Sequence, residues 1–175
     1  MNQKHKYLLD ADTFIRAHRQ HYRFKFCPAY WTAILNHHDS GHVASITQVR
    51  KELLRGKDDL SLWTKTKVPV SFFKGTEDSK VIQVFATISK WVASLSQLSI
   101  EAQSRFASSA DGWLVAYAKV NGYSVCSYEV SSRESKSNIK LPDVCKQFGV
   151  PFVNPYDVLE KLDVRMILSK RATGA

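Results

Sequence analysis

The sequence lacks any long hydrophobic run. None of the apolar stretches in its 175 residues approaches the roughly 18 residues that a membrane-spanning helix needs. The first apolar segment, Tyr7-Leu8-Leu9, follows a polar, basic start and stops at Asp10, so it lacks the apolar centre of a secretory signal. We therefore expect a cytoplasmic protein that has no membrane partner.

Cysteine is scarce as well. The chain has three, Cys27, Cys126 and Cys145, an odd number without the spacing of a metal site. Because they lie in or near apolar segments, we predict reduced core residues, as is usual in the cytoplasm. The histidines at positions 18, 21, 37 and 38 also lack zinc-site spacing, and we interpret them as surface residues.

Acidic residues are in deficit: 16 Asp and Glu oppose 25 Lys and Arg, which gives a net charge of +9. This balance favours a polyanionic partner such as nucleic acid, although a generic solubilising surface accounts for it equally well. The basic excess is enriched at residues 16–25 and 165–171. The first of these stretches comes just after Asp10 and Asp12, which favours a functional role for it.

Short apolar segments alternate with stretches of helical periodicity, and no repeat or low-complexity linker interrupts them. Strands are predicted at residues 6–9, 42–46, 68–73, 123–127 and 151–153. Helices are predicted at residues 13–19, 29–38, 47–54, 57–65, 77–98, 111–120, 141–148 and from 156 onward, with Ser45 and Gln48 as a capping box for the third. The alternation predicts an α/β fold whose parallel sheet is covered on both faces. We expect one domain over residues 1–165 and a basic, frayed tail over 166–175.

Five acids fall where strands end or along helices that follow them. Asp10 and Asp12 follow the first strand, Glu52 lies beside the apolar stripe of a helix, Asp111 opens a helix, and Glu129 follows the fourth strand. Four of them have a simpler alternative: pairing with nearby Arg or Lys for Glu52, helix capping for Asp12 and Asp111, and a loop position for Glu129. As a set they are hard oxygen ligands of the kind that binds Mg²⁺ or Mn²⁺.

At these positions the sequence resembles the PIN-domain nucleases. The likeness covers about residues 6 to 160 and is carried by YLLDADTFI at 7–15, QVRKELL at 48–54, ADGWLVAYA at 110–118 and YSVCSYE at 123–129. The segments YRFKFCP at 22–28 and FGVPFVNP at 148–155 resemble an uncharacterised PIN-like subfamily, many of whose members look like toxins of bacterial toxin–antitoxin pairs. Two positions depart from the pattern: Asp12 stands where Asn is usual, and Glu129 where the fourth acid is often Asp.

The resemblance implies a Rossmann-like three-layer α/β/α sandwich with a mostly parallel central sheet. It also implies RNA cleavage that depends on Mg²⁺ or Mn²⁺, with RNA and a small antitoxin protein as partners and a homodimer as one possible assembly. By match, Asp10, Glu52 and Asp111 are the catalytic metal ligands. Asp12 or Glu129 would help to hold a second ion or orient water, with Glu129 as the fourth catalytic acid.

The chemistry that this set implies needs no side-chain nucleophile. Attack by a metal-activated water in line with the leaving group would leave a 5′-phosphate and a 3′-hydroxyl, as in the family. Thr13 or Ser127 is expected to hydrogen-bond a ligand carboxylate and so to orient it.

The segment YRFKF at residues 22–26 alternates aromatic and basic residues. Such a segment can stack bases and contact phosphates of a single strand, with Arg16, Arg19, Arg23 and Lys25 as the RNA-binding residues. In one alternative the aromatic rings face the core and the basic residues face water. In another, the rings anchor an antitoxin.

Two other functions fit part of the pattern. An Asp pair after a strand also resembles the haloacid-dehalogenase-type phosphatases, in which the first acid, here Asp10, is the nucleophile. A trapped beryllofluoride adduct would identify that chemistry. A catalytically silent PIN-like binding module is the other alternative, but the remaining motifs favour a metal-dependent endoribonuclease.

Overall fold

The fold is built on a central sheet, and the computed structural model describes residues 5–132 and 138–167. The five strands are β1 (Tyr7–Leu9), β2 (Val43–Ile46), β3 (Phe73–Lys74), β4 (Ser124–Cys126) and β5 (Phe152–Val153). All neighbouring pairs are parallel, in the order β3-β2-β1-β4-β5. The register places Leu8 of β1 between Ala44 and Val125.

Helices connect the strands. In the described residues they are α1 (Ala11–Arg16), α2 (Pro28–Asp39), α3 (Thr47–Leu54), α4 (Asp59–Thr66), α5 (Ser79–Ala93), α6 (Ile100–Ser108), α7 (Asp111–Asn121), α8 (Leu141–Phe148) and α9 (Pro155–Lys161). A π-helical turn, Ala17–His21, extends α1, and a 3₁₀ turn, Val70–Phe72, leads into β3. Over residues 5–132 and 138–167, no helix is both long and apolar enough to cross a bilayer.

The strand order divides the helices between two faces. The connections from β1 to β2 and from β2 to β3 run in one direction along the sheet, and those to β4 and β5 run in the other. Since parallel crossovers are right-handed, the two groups cover opposite faces. The predicted α/β class, a three-layer Rossmann-like sandwich, is confirmed, and the sheet is parallel throughout the described residues.

The centre of the sheet is buried. Tyr7, Leu8 and Leu9 are at most 1% exposed, because β1 has neighbours on both edges and helices on both faces. Cys126 and Cys145 are buried in the same core, as predicted, whereas Cys27 is only partly buried. The strand order reverses beside β1, and in such sheets ligands bind in the crevice outside the carboxyl ends of the strands at the reversal.

Three details differ from the sequence predictions. The helix expected over residues 77–98 ends at Ala93, and the chain turns so that Leu98 is buried and α6 starts under a Ser99 cap. The extended run at 68–73 is mostly the 3₁₀ turn, because only its last residue belongs to β3. The capping box is wrong: the Ser45 hydroxyl donates to the Leu9 carbonyl across the sheet, and α3 begins without a side-chain cap.

Candidate functional site

Asp10 lies at the carboxyl end of β1, where the strand order reverses. Its Oδ1 accepts from the Ala11 amide at 2.6 Å, and its Oδ2 accepts from the Ser127 hydroxyl at 3.0 Å. The residue is only 6% exposed. Burial raises its pKa well above the usual range, and the negative charges of Asp111 and Glu129 add to this, against the two hydrogen bonds.

Glu52 and Asp111 come to the same edge on helices from opposite faces of the sheet. Glu52 Oε1 accepts from the Ala110 amide at 2.9 Å, so that the α3 side chain holds the start of α7. Burial raises the pKa of Glu52. For Asp111, burial together with the charges of Glu129 and Glu52 raises the pKa to about 7, although Ser109 and Lys140 lower it.

Glu129 completes the group from the loop after β4. Its Oε2 accepts from the Leu141 amide at 2.9 Å, and its Oε1 lies 3.7 Å from Lys140 Nζ. Glu129 and Asp111 share the lining of a cleft of about 250 Å³. An adjoining hollow of about 480 Å³, which shares Asn138 and Ile139 with the cleft, has Asp143 as the one acid in its lining, so the carboxylate cleft is the better candidate for metal chemistry.

Asp12 is positioned differently from the other four acids. Its Oδ1 pairs with Arg16 Nε at 3.0 Å, and its Oδ2 is buried without a hydrogen-bond partner among the described residues. Of the two hydroxyls predicted to orient a ligand, Ser127 does contact Asp10. Thr13 does not contact a carboxylate in this way: its Oγ1 donates to the Cys126 carbonyl at 2.9 Å and ties α1 to β4.

The four carboxylates fit a divalent cation in chemistry but are not arranged to chelate one. Over residues 5–132 and 138–167, no three His, Cys, Asp or Glu side chains lie close enough together to hold a metal ion. Several carboxylate oxygens accept backbone amide hydrogen bonds instead. Burial first, and neighbouring carboxylates second, raise the pKa values of Asp10 and Asp111, so a cation bound here would favour their ionised forms.

The basic segment after α1 is exposed, but its aromatic rings are not free. Arg16, Arg19, Arg23 and Lys25 are exposed. By contrast, the Tyr22 ring stacks on Tyr30 at 4.3 Å and the Phe24 ring packs on Trp31 at 4.3 Å. The alternation thus turns these two rings toward other aromatic residues and the cations outward, as one of the alternatives predicted. Phe26, at 78% exposed, is the exception. The Tyr22 and Phe24 rings stay partly exposed, so base stacking by these two rings stays a prediction.

The four basic side chains do not all line one surface. Arg19, Arg23 and Lys25 line a depression of about 370 Å³ that also contains Asp59. Arg16 instead points to Asp12. In the second basic stretch, Arg165 pairs with Asp163 at 2.9 Å, and residues 168–171 lie outside the described part of the chain.

A known family model matches most of the residues that the structure describes. The family model named Domain of unknown function (DUF4411) matches residues 7–166, which include all four clustered carboxylates. The chain belongs to the DUF4411 family. A search of curated proteins found no match.

The polar and basic residues beside the acids of this DUF4411 chain were not predicted from its sequence. Arg105, Asn138 and Lys140 line the cleft that contains Asp111 and Glu129. Arg105 donates to the Asn138 side chain at 3.2 Å. Nothing local marks these residues, because Arg105 lies on the unpredicted helix α6 and Lys140 immediately precedes α8.

Proposed function

We propose that this protein is a Mg²⁺- or Mn²⁺-dependent endoribonuclease and acts as the toxin of a bacterial toxin–antitoxin pair. The observation that supports it is the convergence of Asp10, Glu52, Asp111 and Glu129 at the carboxyl edge of β1 and β4, with raised pKa values at three of them. Burial of negative charge costs stability, so a site that keeps it there is typical of function. The resemblance to PIN-domain nucleases supports the same reaction.

The chain supplies ligands and their orientation. Asp10, Glu52 and Asp111 would hold the ion, which supplies Lewis acidity toward water and the phosphoryl oxygens when it is bound. Ser127 and the Ala11 amide fix the Asp10 carboxylate in one orientation. The Ala110 amide does the same for Glu52, so rotation of one carboxylate oxygen toward an ion leaves the other anchored.

RNA contact is assigned to cations on two sides of the carboxylates. Lys140 lines the cleft itself, where its ammonium can meet a phosphate oxygen next to the bond to be cleaved. Arg19, Arg23 and Lys25 are exposed after α1 and would contact phosphates further along the strand. A small antitoxin would inhibit most simply by covering the same basic surface.

The test is cleavage of single-stranded RNA by the wild type and by Asp10→Asn and Glu52→Gln, with Mg²⁺ or Mn²⁺ and with EDTA. Each substitution keeps the shape of the side chain but removes a charge, so cleavage should fall by more than about tenfold while the fold is retained. Asp39→Asn is the control, because Asp39 is exposed at the end of α2, just before β2, and so lies at the opposite edge of the sheet from the four carboxylates.

Activity of both site variants within tenfold of the wild type would contradict the metal-site assignment. Hydrolysis of a phosphate monoester without RNA cleavage would instead favour the phosphatase chemistry. For the toxin role, expression of the wild type should stop bacterial growth, and a small protein encoded beside it should copurify and restore growth. Unimpaired growth, when the purified protein cleaves RNA, would separate the enzyme from the toxin role.

A further inference from the structure

Three aromatic rings meet at the carboxyl edge of the sheet, outside the part of the site used above. His21 ends the π-helical turn after α1, Tyr128 follows β4, and Tyr156 lies in the first turn of α9 after β5. Their ring centroids are 5.0 Å apart for His21 and Tyr128, 5.4 Å for Tyr128 and Tyr156, and 5.8 Å for His21 and Tyr156. We call these three residues the aromatic rim.

The aromatic rim is linked to the carboxylates through the chain. Tyr128 lies in the chain between Ser127, which donates to Asp10, and Glu129, which lines the cleft. The Arg16 guanidinium lies 5.9 Å from the centre of the Tyr128 ring. A cluster of inclined rings and a cation therefore lie next to the chain segments that carry candidate metal ligands, as in sites that bind a base and its phosphate together.

The rim is not simply part of the core. Tyr156 is 44% exposed, although its neighbours in the first turn of α9 include a buried proline. The Tyr128 hydroxyl is buried and has no hydrogen-bond partner among the described residues. A cluster that served packing alone would favour phenylalanine here, because a buried hydroxyl without a partner costs free energy.

We propose that the aromatic rim stacks a nucleobase of single-stranded RNA next to the phosphate held at the carboxylates, with Tyr156 as the accessible ring. The inference rests on the proposed nuclease function and adds to it a residue that contacts a base of the substrate. Every base has a π-face, so the contact selects unpaired over paired RNA rather than one sequence over another. In a duplex, neighbouring bases already cover that face, so we expect the rim to bind single strands.

The experiment measures binding of a short single-stranded oligoribonucleotide by fluorescence anisotropy, in an Asp10→Asn background that should not cleave it. Tyr156→Ala should weaken binding about tenfold, within the range measured for loss of one stacked base. Tyr156→Phe keeps the ring and should bind within about twofold of the background protein. Tyr123→Ala is the matched control, since Tyr123 precedes β4 at the opposite edge of the sheet.

A second oligonucleotide separates stacking from other roles. On an abasic strand of equal length, Tyr156→Ala should change affinity by less than about twofold, because no base is present to lose. Equal weakening on both strands would overturn the stacking role. So would unchanged binding by Tyr156→Ala with loss of a copurifying protein, which would make the rim a protein contact.

The outcomes also separate this inference from the nuclease proposal. If the wild type cleaves RNA and Tyr156→Ala binds RNA with unaltered affinity, only the stacking role of the rim is contradicted. If the wild type binds RNA in a base-dependent way but cleaves none, the stacking role of the rim is supported and the nuclease proposal is contradicted. Absence of any RNA binding would overturn both.

Discussion

Replacement of Asp111 by Asn should stabilise the metal-free protein. Asp111 opens α7 among the negative charges of Glu129 and Glu52, and burial is the largest cause of its raised pKa. Because the folded protein disfavours the ionised carboxylate, part of its folding free energy is lost whenever Asp111 is charged. Asparagine has nearly the same shape and carries no charge, so that loss disappears.

The magnitude follows from the shift in the Asp111 pKa, from 3.8 to about 7. At about 1.36 kcal/mol for each pH unit, the full shift corresponds to about 4 kcal/mol. The carboxylate is partly accessible to solvent, and asparagine gives up about 0.3–1 kcal/mol of favourable interaction with the helix dipole. We therefore expect a net gain of about 1–3 kcal/mol above pH 7, or roughly 2–10 °C in Tm.

The raised pKa of Asp111 also fixes how the stability difference between the two proteins changes with pH. Between about pH 4 and pH 7 the folded wild type holds a proton on Asp111 that the unfolded chain has released, so wild-type stability falls as pH rises. Below about pH 4 both states are protonated and the advantage of the variant vanishes. Between pH 8 and pH 5 that advantage should therefore shrink by about half.

Urea and thermal unfolding of both proteins in EDTA, from pH 5 to pH 8, measure this. Asp59→Asn is the control, because Asp59 also lies in the first turn of a helix but is exposed. It should lose a few tenths of a kcal/mol at every pH, without growth toward pH 8. An Asp111→Asn protein that is no more stable than the wild type at pH 8 would refute the buried-charge reasoning.

Three further predictions concern the metal, the RNA surface and the helix packing. Saturating Mn²⁺ should raise the Tm of the wild type but not of Asp111→Asn, since a ligand at about 100 times its Kd adds about 2.7 kcal/mol to the native state alone; equal shifts would place the ion elsewhere. In a cleavage-inactive background, the double variant Arg23→Ala/Lys25→Ala should lower the slope of log RNA affinity against log salt by about one to two, and an unchanged slope would remove this segment from the interface. Gly112→Ala should destabilise by about 1–3 kcal/mol in urea, because its Cβ would lie 2.9 Å from the Phe85 ring; stabilisation would show that the ring moves aside freely.

Much of the fold followed from local pattern. The apolar run at Tyr7, the helix over residues 47–54 and the left-handed Gly149 after α8 match the structure closely, because each depends on neighbours in sequence. The helix predicted over residues 77–98 was wrong, because it extends past the observed end at Ala93. Its apolar spacing continues past Ala93, but the chain turns after that residue, Leu98 becomes buried, and α6 starts after the Ser99 cap.

The candidate site was predictable in part. The sequence determined which acids follow which strand, and parallel strands bring their carboxyl ends to one edge, so the meeting of Asp10 with Asp111 and Glu129 was foreseeable. The sequence could not show which group hydrogen-bonds each carboxylate oxygen, such as the Ala110 amide for Glu52. Nor could it show that Asp12 forms an ion pair with Arg16. These depend on side-chain directions set by packing.

The sequence by itself therefore determined the parallel α/β architecture and the order of the acids along it, because both are encoded by period, charge and position in the chain. Only the tertiary structure decided which rings Tyr22 and Phe24 pack on, and that Tyr128 and Tyr156 meet after different strands. The same holds for Lys140, which joins Glu129 across a loop. Contacts between residues distant in sequence are selected by packing of the whole fold, and no local pattern records them.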